Sequence, residues 1–184
     1  MSSRRSSLTA SSIVILLSFT TSSSYEAAMA SQLVTLSRTT PNASNPGLPN
    51  IKATPGEIDP AVTQGNLGST ICVAGYTKTV RPPVSYTNAL KRKQLGSGYN
   101  YLGDLSTKSY EEDHLIPLEL GGAPSDERNL WPEPRHITWD AAKKDRLENK
   151  LHLLVCSQQL PLKVAQTAFA HNWVTAYKKY IASN

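Results

Sequence analysis

The chain has 184 residues, 39% of them apolar, enough for one core of ordinary size and too few for two full domains. Its 19 Lys and Arg against 14 Asp and Glu give a net charge of +5, which is compatible with a polyanionic partner without requiring one. Cysteine occurs only twice, which excludes a four-cysteine zinc site.

Arg4 and Arg5, the apolar run from Ile13 to Phe19 and the small-residue site Ala28-Met29-Ala30 predict a secretory signal peptide over residues 1–30. The run is too short to cross a bilayer, which takes about 20 apolar residues. Its removal leaves 17 basic and 13 acidic residues, so the exported form, secreted or periplasmic, stays basic and has no membrane partner. Residues 31–57 are rich in Ser, Thr, Asn, Pro and Gly without a helical or strand period, which predicts a flexible linker. Within it, Asn42-Ala43-Ser44 fits a glycosylation sequon. The folded domain is placed at 58–184. Cys72 and Cys156 read as a disulfide in an exported chain and as two buried thiols in a cytosolic one; the leader selects the disulfide.

Ile71-Cys72-Val73 is a short extended run, and Arg81-Pro82-Pro83 stops any helix before it. Ser85 to Leu95 predicts a short basic helix with Ala89 and Leu90 inward and Lys91-Arg92-Lys93 as a cationic cluster. Gly96 to Gly103 is turn-rich. Tyr110 to Leu120 is expected to be extended, Gly121-Gly122 to reverse the chain through positive φ, and Asp126 to Leu130 to return it. The prolines of Trp131-Pro132-Glu133-Pro134 forbid helix until about Thr138. From Asp140 to Cys156 the pattern is helical, with Leu147, Leu151 and Leu154 on one side and Asp145, Glu148, Asn149 and His152 on the other. A last helix, Leu162 to Tyr180, offers Val164, Ala168, Trp173 and Tyr177 as inward residues. The fold class is α+β, and there is no internal repeat.

Tyr110 to Leu130, YEEDHLIPLELGGAPSDERNL, concentrates the chemistry. Hydrolysis of a phosphodiester needs a carboxylate to hold a divalent cation, an imidazole to take a proton from water and a polar group to fix the imidazole. Asp113, His114 and Asn129 supply these types. With the later NLWPEP and KDRLEN strings, the segment resembles the HNH (ββα-metal) endonuclease family over residues 110–156. That resemblance implies a ββα-metal core with flanking helices, His114 as general base, Asp113 as metal ligand and Asn129 as the group that fixes the histidine and its loop. It implies a divalent cofactor, Mg²⁺ or Mn²⁺ first with Zn²⁺ or Ni²⁺ as alternatives, and nucleic acid as partner, DNA before RNA. Glu111, on Asp113's side of the strand, is an additional acid for the catalytic set.

The sequence departs from the family where the helix should carry a His or Asn ligand. Its first turns read Asp140-Ala141-Ala142-Lys143-Lys144-Asp145. Asp140 reads as an N-cap, and Asp145 is the preferred second ligand, with Glu148, His152 and His136 behind it. Lys143 and Lys144 stand near a helix N-terminus that disfavours cations, which points to a bound phosphate. The expectation is therefore an exported, metal-dependent endonuclease. The alternative is a catalytically silent domain of the same type that binds nucleic acid or a protein, and behind both stands a disulfide-stapled structural domain in which the Asp-His pair is incidental.

Overall fold

The computed structural model describes residues 47–182, all within one compact unit. The predicted leader, the sequon and the start of the predicted linker lie outside them. In chain order the elements are a short 3₁₀ turn Gln64–Ser69, helices α1 (Tyr76–Val80) and α2 (Val84–Gln94), strands β1 (Tyr110–His114) and β2 (Leu130–Pro134), and helices α3 (Ala141–Cys156) and α4 (Leu162–Tyr180). The architecture is α+β, a two-stranded antiparallel sheet among helices, closed by the Cys72–Cys156 disulfide. Among the described residues no helix is long and apolar enough to cross a membrane.

The strands pair from Tyr110↔Pro134 to His114↔Leu130. Flanking bonds, Leu115 N–H to the Asn129 carbonyl and Arg135 N–H to the Ser109 carbonyl, continue the register at both ends. Odd-numbered residues of β2 therefore bond β1. Pro132 and Pro134 stand where an N–H would face away from the partner strand, so neither proline deprives the ladder of a donor. Helix α2 lies along the sheet: Gln94 Nε2 donates to the Leu130 carbonyl at 2.9 Å and Lys91 Nζ to the Tyr110 carbonyl at 3.3 Å.

Extended structure ends sooner than the sequence suggests. β1 stops at His114, and Leu118–Leu120 forms a 3₁₀ turn after Pro117, whose ring removes the next ladder donor. The return strand starts only at Leu130, because Asp126 caps the turn Glu127–Asn129 by accepting from Arg128 N–H. Of the two glycines in the reversal, Gly121 has φ 72°, the left-handed conformation expected of both. Gly122 is required for space instead. A Cβ there would lie 1.8 Å from the Ile116 carbonyl oxygen and 2.8 Å from Asn129 Nδ2.

α3 begins where Asp140 accepts from Lys143 N–H, confirming the cap, and buries Leu147, Leu151 and Val155. α4 covers the predicted span, but Asn172 breaks it with extended backbone (φ −170°, ψ 93°) and caps the second half through Thr175 N–H. Val164, predicted inward, is exposed; Leu162, Ala165, Phe169, Trp173, Ala176 and Tyr177 form the buried stripe. The core joins Leu115, Leu120, Trp131, Leu147, Leu151, Phe169 and Trp173. The disulfide ties residue 72 to the end of α3 across 84 residues of chain, worth roughly 4.5 kcal/mol in the chain-entropy account.

Residues 47–57 correct the linker expectation. The Gly47 carbonyl accepts from Trp173 Nε1 at 2.7 Å, Thr54 is buried with its hydroxyl on Tyr99, and Gly56 N–H bonds the Arg128 carbonyl. This segment is held by backbone polar groups and by isolated side chains such as Thr54, which leave no period in an apolar pattern.

The steric constraint at Gly122 can be tested against a glycine that has none. Gly122→Ala should destabilise the fold by about 1–3 kcal/mol in urea unfolding, because the clash is with backbone. Gly96→Ala, with open space around it, should change stability by less than about 1 kcal/mol.

Candidate functional site

The sheet and α3 meet around one buried ammonium. Lys144 sits on the same stripe of α3 as Leu147 and Leu151 and has no exposed surface. Its Nζ lies 2.5 Å from Asp113 Oδ2 on β1, bonds Glu148 Oε1 one turn along α3, and is 3.8 Å from Glu133 Oε2 on β2. The Phe169 ring centroid is 5.7 Å away. Lys144 is therefore not a phosphate-binding side chain, contrary to the expectation from its position near the helix N-terminus. Lys143 stays partly exposed, its Nζ 3.8 Å from the Asp140 carboxylate.

One cation thus faces three carboxylates. Burial pushes Glu148 up to about 8, against the pull of Lys144 and with the push of Asp113. Burial also raises Glu133 far above the usual carboxylate range, with Lys144 opposing and Asp113 adding to the rise, and in its protonated form it donates to the Asp113 carboxylate. Burial works against the Asp113 carboxylate too, but the Lys144 ammonium, a hydrogen bond from Glu133 and the nearby His114 together outweigh it and hold Asp113 well below the usual carboxylate range. Asp145 is raised by burial and by Asp113. The cluster holds more acid than its own cation neutralises, so protons occupy sites that a second cation would empty.

Oxygen atoms of Asp113, Asp145 and Glu148 lie within 4.8 Å of one another. An all-oxygen set from three carboxylates fits a hard divalent cation such as Mg²⁺ or Mn²⁺. Asp145, chosen from sequence, is brought to Asp113 as expected, and Glu148, ranked behind it, joins them. His152 does not; its Nε2 donates to the Ile71 carbonyl at the disulfide end of α3. Glu111 is drawn away by an ion pair of 2.9 Å with Arg135. His136 is exposed in the loop before α3.

His114 ends β1 and is buried, its Nε2 2.9 Å from the Pro124 carbonyl. A carbonyl only accepts, so Nε2 carries hydrogen and the lone pair of the neutral ring is on Nδ1. Burial lowers the His114 pKa against the opposing effects of Asp113 and the Pro124 carbonyl, so the ring is neutral near pH 7. The ring lies outside the three-carboxylate set. Adjacent strand residues face opposite ways, and here Asp113 turns to α3 while His114 turns to the loop.

Asn129 does not touch the histidine. Fully buried, it accepts from Ile116 N–H through Oδ1 and donates through Nδ2 to the carbonyls of Ile116 and Ala123. It thereby holds the loop that carries Pro124, and so positions His114 indirectly. Glu133 carries no signal of burial in the sequence, since the prolines on either side of it leave no apolar alternation to read. Lys144 had a legible signal, its spacing of three and seven from Leu147 and Leu151, which was overridden by the charge.

No family model matches the chain, and no curated protein or solved structure matches it.

The raised pKa of Glu148 makes a signed prediction. An acid whose folded pKa lies above its unfolded value of 4.5 binds more protons folded than unfolded, so its contribution to stability falls as pH rises toward about 8. Glu112, also pushed up to about 8 by burial, adds to the fall, while His114 contributes no slope above its unfolded value of about 6.5. In EDTA the melting temperature should drop between pH 6.5 and 8, and Glu148→Gln should flatten that drop. A level wild-type profile would contradict the crowded-acid description.

Proposed function

We propose that this chain is an exported, metal-dependent endonuclease of the ββα-metal type, in which β1, β2 and α3 form the catalytic core. The observation that carries this reading is the convergence of Asp113 from β1 with Asp145 and Glu148 from α3, next in sequence to a histidine whose Nε2–H is committed to a backbone carbonyl. A bound Mg²⁺ or Mn²⁺ would offset charge on the phosphate and on the leaving oxygen. The protein's own residues do the rest. Asp113, Asp145 and Glu148 would hold the ion, Glu148 as the carboxylate. His114 Nδ1 accepts a proton from the attacking water, its ring kept in that tautomer by Pro124. Asn129 keeps the loop, and through it the ring, in place. Arg135, paired with Glu111 and acting on Asp145 at the exposed margin of the cluster, supplies positive charge toward a nucleic-acid backbone.

Two observations favour a second reading. Lys144 already occupies the centre of the acidic group, and His114 is only 3% exposed. Both suit a domain that has kept the framework, with an ammonium in place of the metal, and binds nucleic acid or protein without cutting. The Cys72–Cys156 disulfide accords with export to an oxidising compartment.

The assay is cleavage of plasmid DNA and of RNA by the purified protein with Mg²⁺, Mn²⁺, Zn²⁺, Ni²⁺ or EDTA. Metal-stimulated cleavage is expected, with DNA the better substrate. His114→Ala should lower the rate by about 10²–10⁴ while keeping Mn²⁺ binding, whereas Asp113→Ala and Glu148→Gln should lose both. Absence of cleavage by wild type with any of the metals would remove the nuclease reading, and salt-sensitive DNA binding by the same protein would then select the silent one.

A further inference from the structure

One turn beyond the acidic set on α3 lies a second group of donors that the proposed hydrolysis does not use. His152 and Cys156 are four residues apart on this helix, the spacing that places two side chains on one face. Cys72 arrives from the segment after the turn Gln64–Ser69 and is joined to Cys156. Both sulfur atoms and a ring nitrogen of His152 lie within 4.8 Å of one another, and all three residues are partly exposed. His152 Nε2 donates to the carbonyl of Ile71, the residue before Cys72, at 2.9 Å. That bond places the lone pair on Nδ1 and ties the ring to the segment that carries the first cysteine. A backbone carbonyl that holds one ring nitrogen leaves the other free to ligate and fixes the ring's orientation.

We propose that reduction of this disulfide creates a three-ligand site for Zn²⁺ or Cu⁺, formed by the sulfurs of Cys72 and Cys156 and by His152. As a disulfide the two sulfurs are occupied with each other and offer no thiolate. A dithiol reductant supplies two electrons and two protons, breaks the S–S bond and leaves as its own disulfide, giving two thiols. Binding of the cation then displaces both thiol protons to solvent as two metal–sulfur bonds form. Two thiolates and an imidazole select a borderline or soft cation over Mg²⁺, so this site and the carboxylate set differ in the metal they take. In either redox state residue 72 stays cross-linked to the end of α3, covalently or through the metal.

The test uses the full chain, Co²⁺ as spectroscopic probe and a phosphine reductant under anaerobic conditions. Reduced protein should bind one Co²⁺ with a thiolate-to-cobalt charge-transfer band that Zn²⁺ abolishes, and oxidised protein should show none. His152→Ala should weaken Co²⁺ binding at least about tenfold, the scale on which such ligand shells act. Cys72→Ser should remove the band, and Asp113→Ala should leave it unchanged, so loss of nuclease activity and loss of this site are read separately. Tryptophan emission monitors the fold, since Trp131 and Trp173 are fully buried. If reduction unfolds the chain, Zn²⁺ should restore the native emission. The site is overturned by reduced wild type without the band, by His152→Ala binding as tightly as wild type, or by Zn²⁺ failing to restore an unfolded reduced chain.

Discussion

The structure depends on the burial of one ammonium. Lys144 reaches from α3 to carboxylates on both strands and to one on its own helix, so a single side chain decides how the sheet and the helix meet. Desolvating that charge is expensive, and only the carboxylates around it make the position tolerable. Removing the lysine would leave the acids facing one another, a loss of about 3–5 kcal/mol for a broken buried pair, moderated where Glu148 and Glu133 take up protons. The arrangement also specifies register. A slip of β1 by one residue would turn Asp113 away from α3 and bring Glu112 or His114 in its place.

A second constraint is the loop between the strands. After His114 the ladder gives way to side-chain bonding, with the Asn129 amide serving Ile116 and Ala123 as a neighbouring strand would. Gly122 allows that approach because there is no room for a β-carbon between its own backbone and the Ile116 carbonyl. The loop is therefore rigid where it passes His114, and the orientation of the imidazole is a property of the loop as a whole. A carbonyl in an unregulated turn would not hold one tautomer.

Helices were the most legible part of the chain. Asp140 announced α3 as a cap, and Leu147 and Leu151 gave its inward face; the span Leu162–Tyr180 was readable from its apolar stripe, though not the break at Asn172, where a side-chain cap replaces helical backbone. The pairing of Cys72 with Cys156 was readable from their number and the leader-like start. The short strand was less so, because a run of apolar residues after His114 looks extended whether or not it pairs. Residues 47–57 carry no such signal, since backbone groups and scattered side chains such as Thr54 and Glu57, not an apolar period, anchor them. In the candidate site, Asp113 and Asp145 converge as the residue types suggested, but the buried lysine among them could not be recognised from charge pattern alone, for a cation on a helix is ordinarily solvated.

The prolines of β2 carry a consequence of another kind. At positions 132 and 134 the outward edge of the sheet has no N–H to offer, and Gln94 already satisfies the Leu130 carbonyl. A two-stranded sheet is ordinarily an open template, ready to recruit a third strand from a neighbouring molecule. Here the same residues that end helical structure also deny a foreign strand its hydrogen bonds. All five residues of β2 are buried, so this side of the minimal sheet is closed twice, by the missing donors and by the elements packed over it.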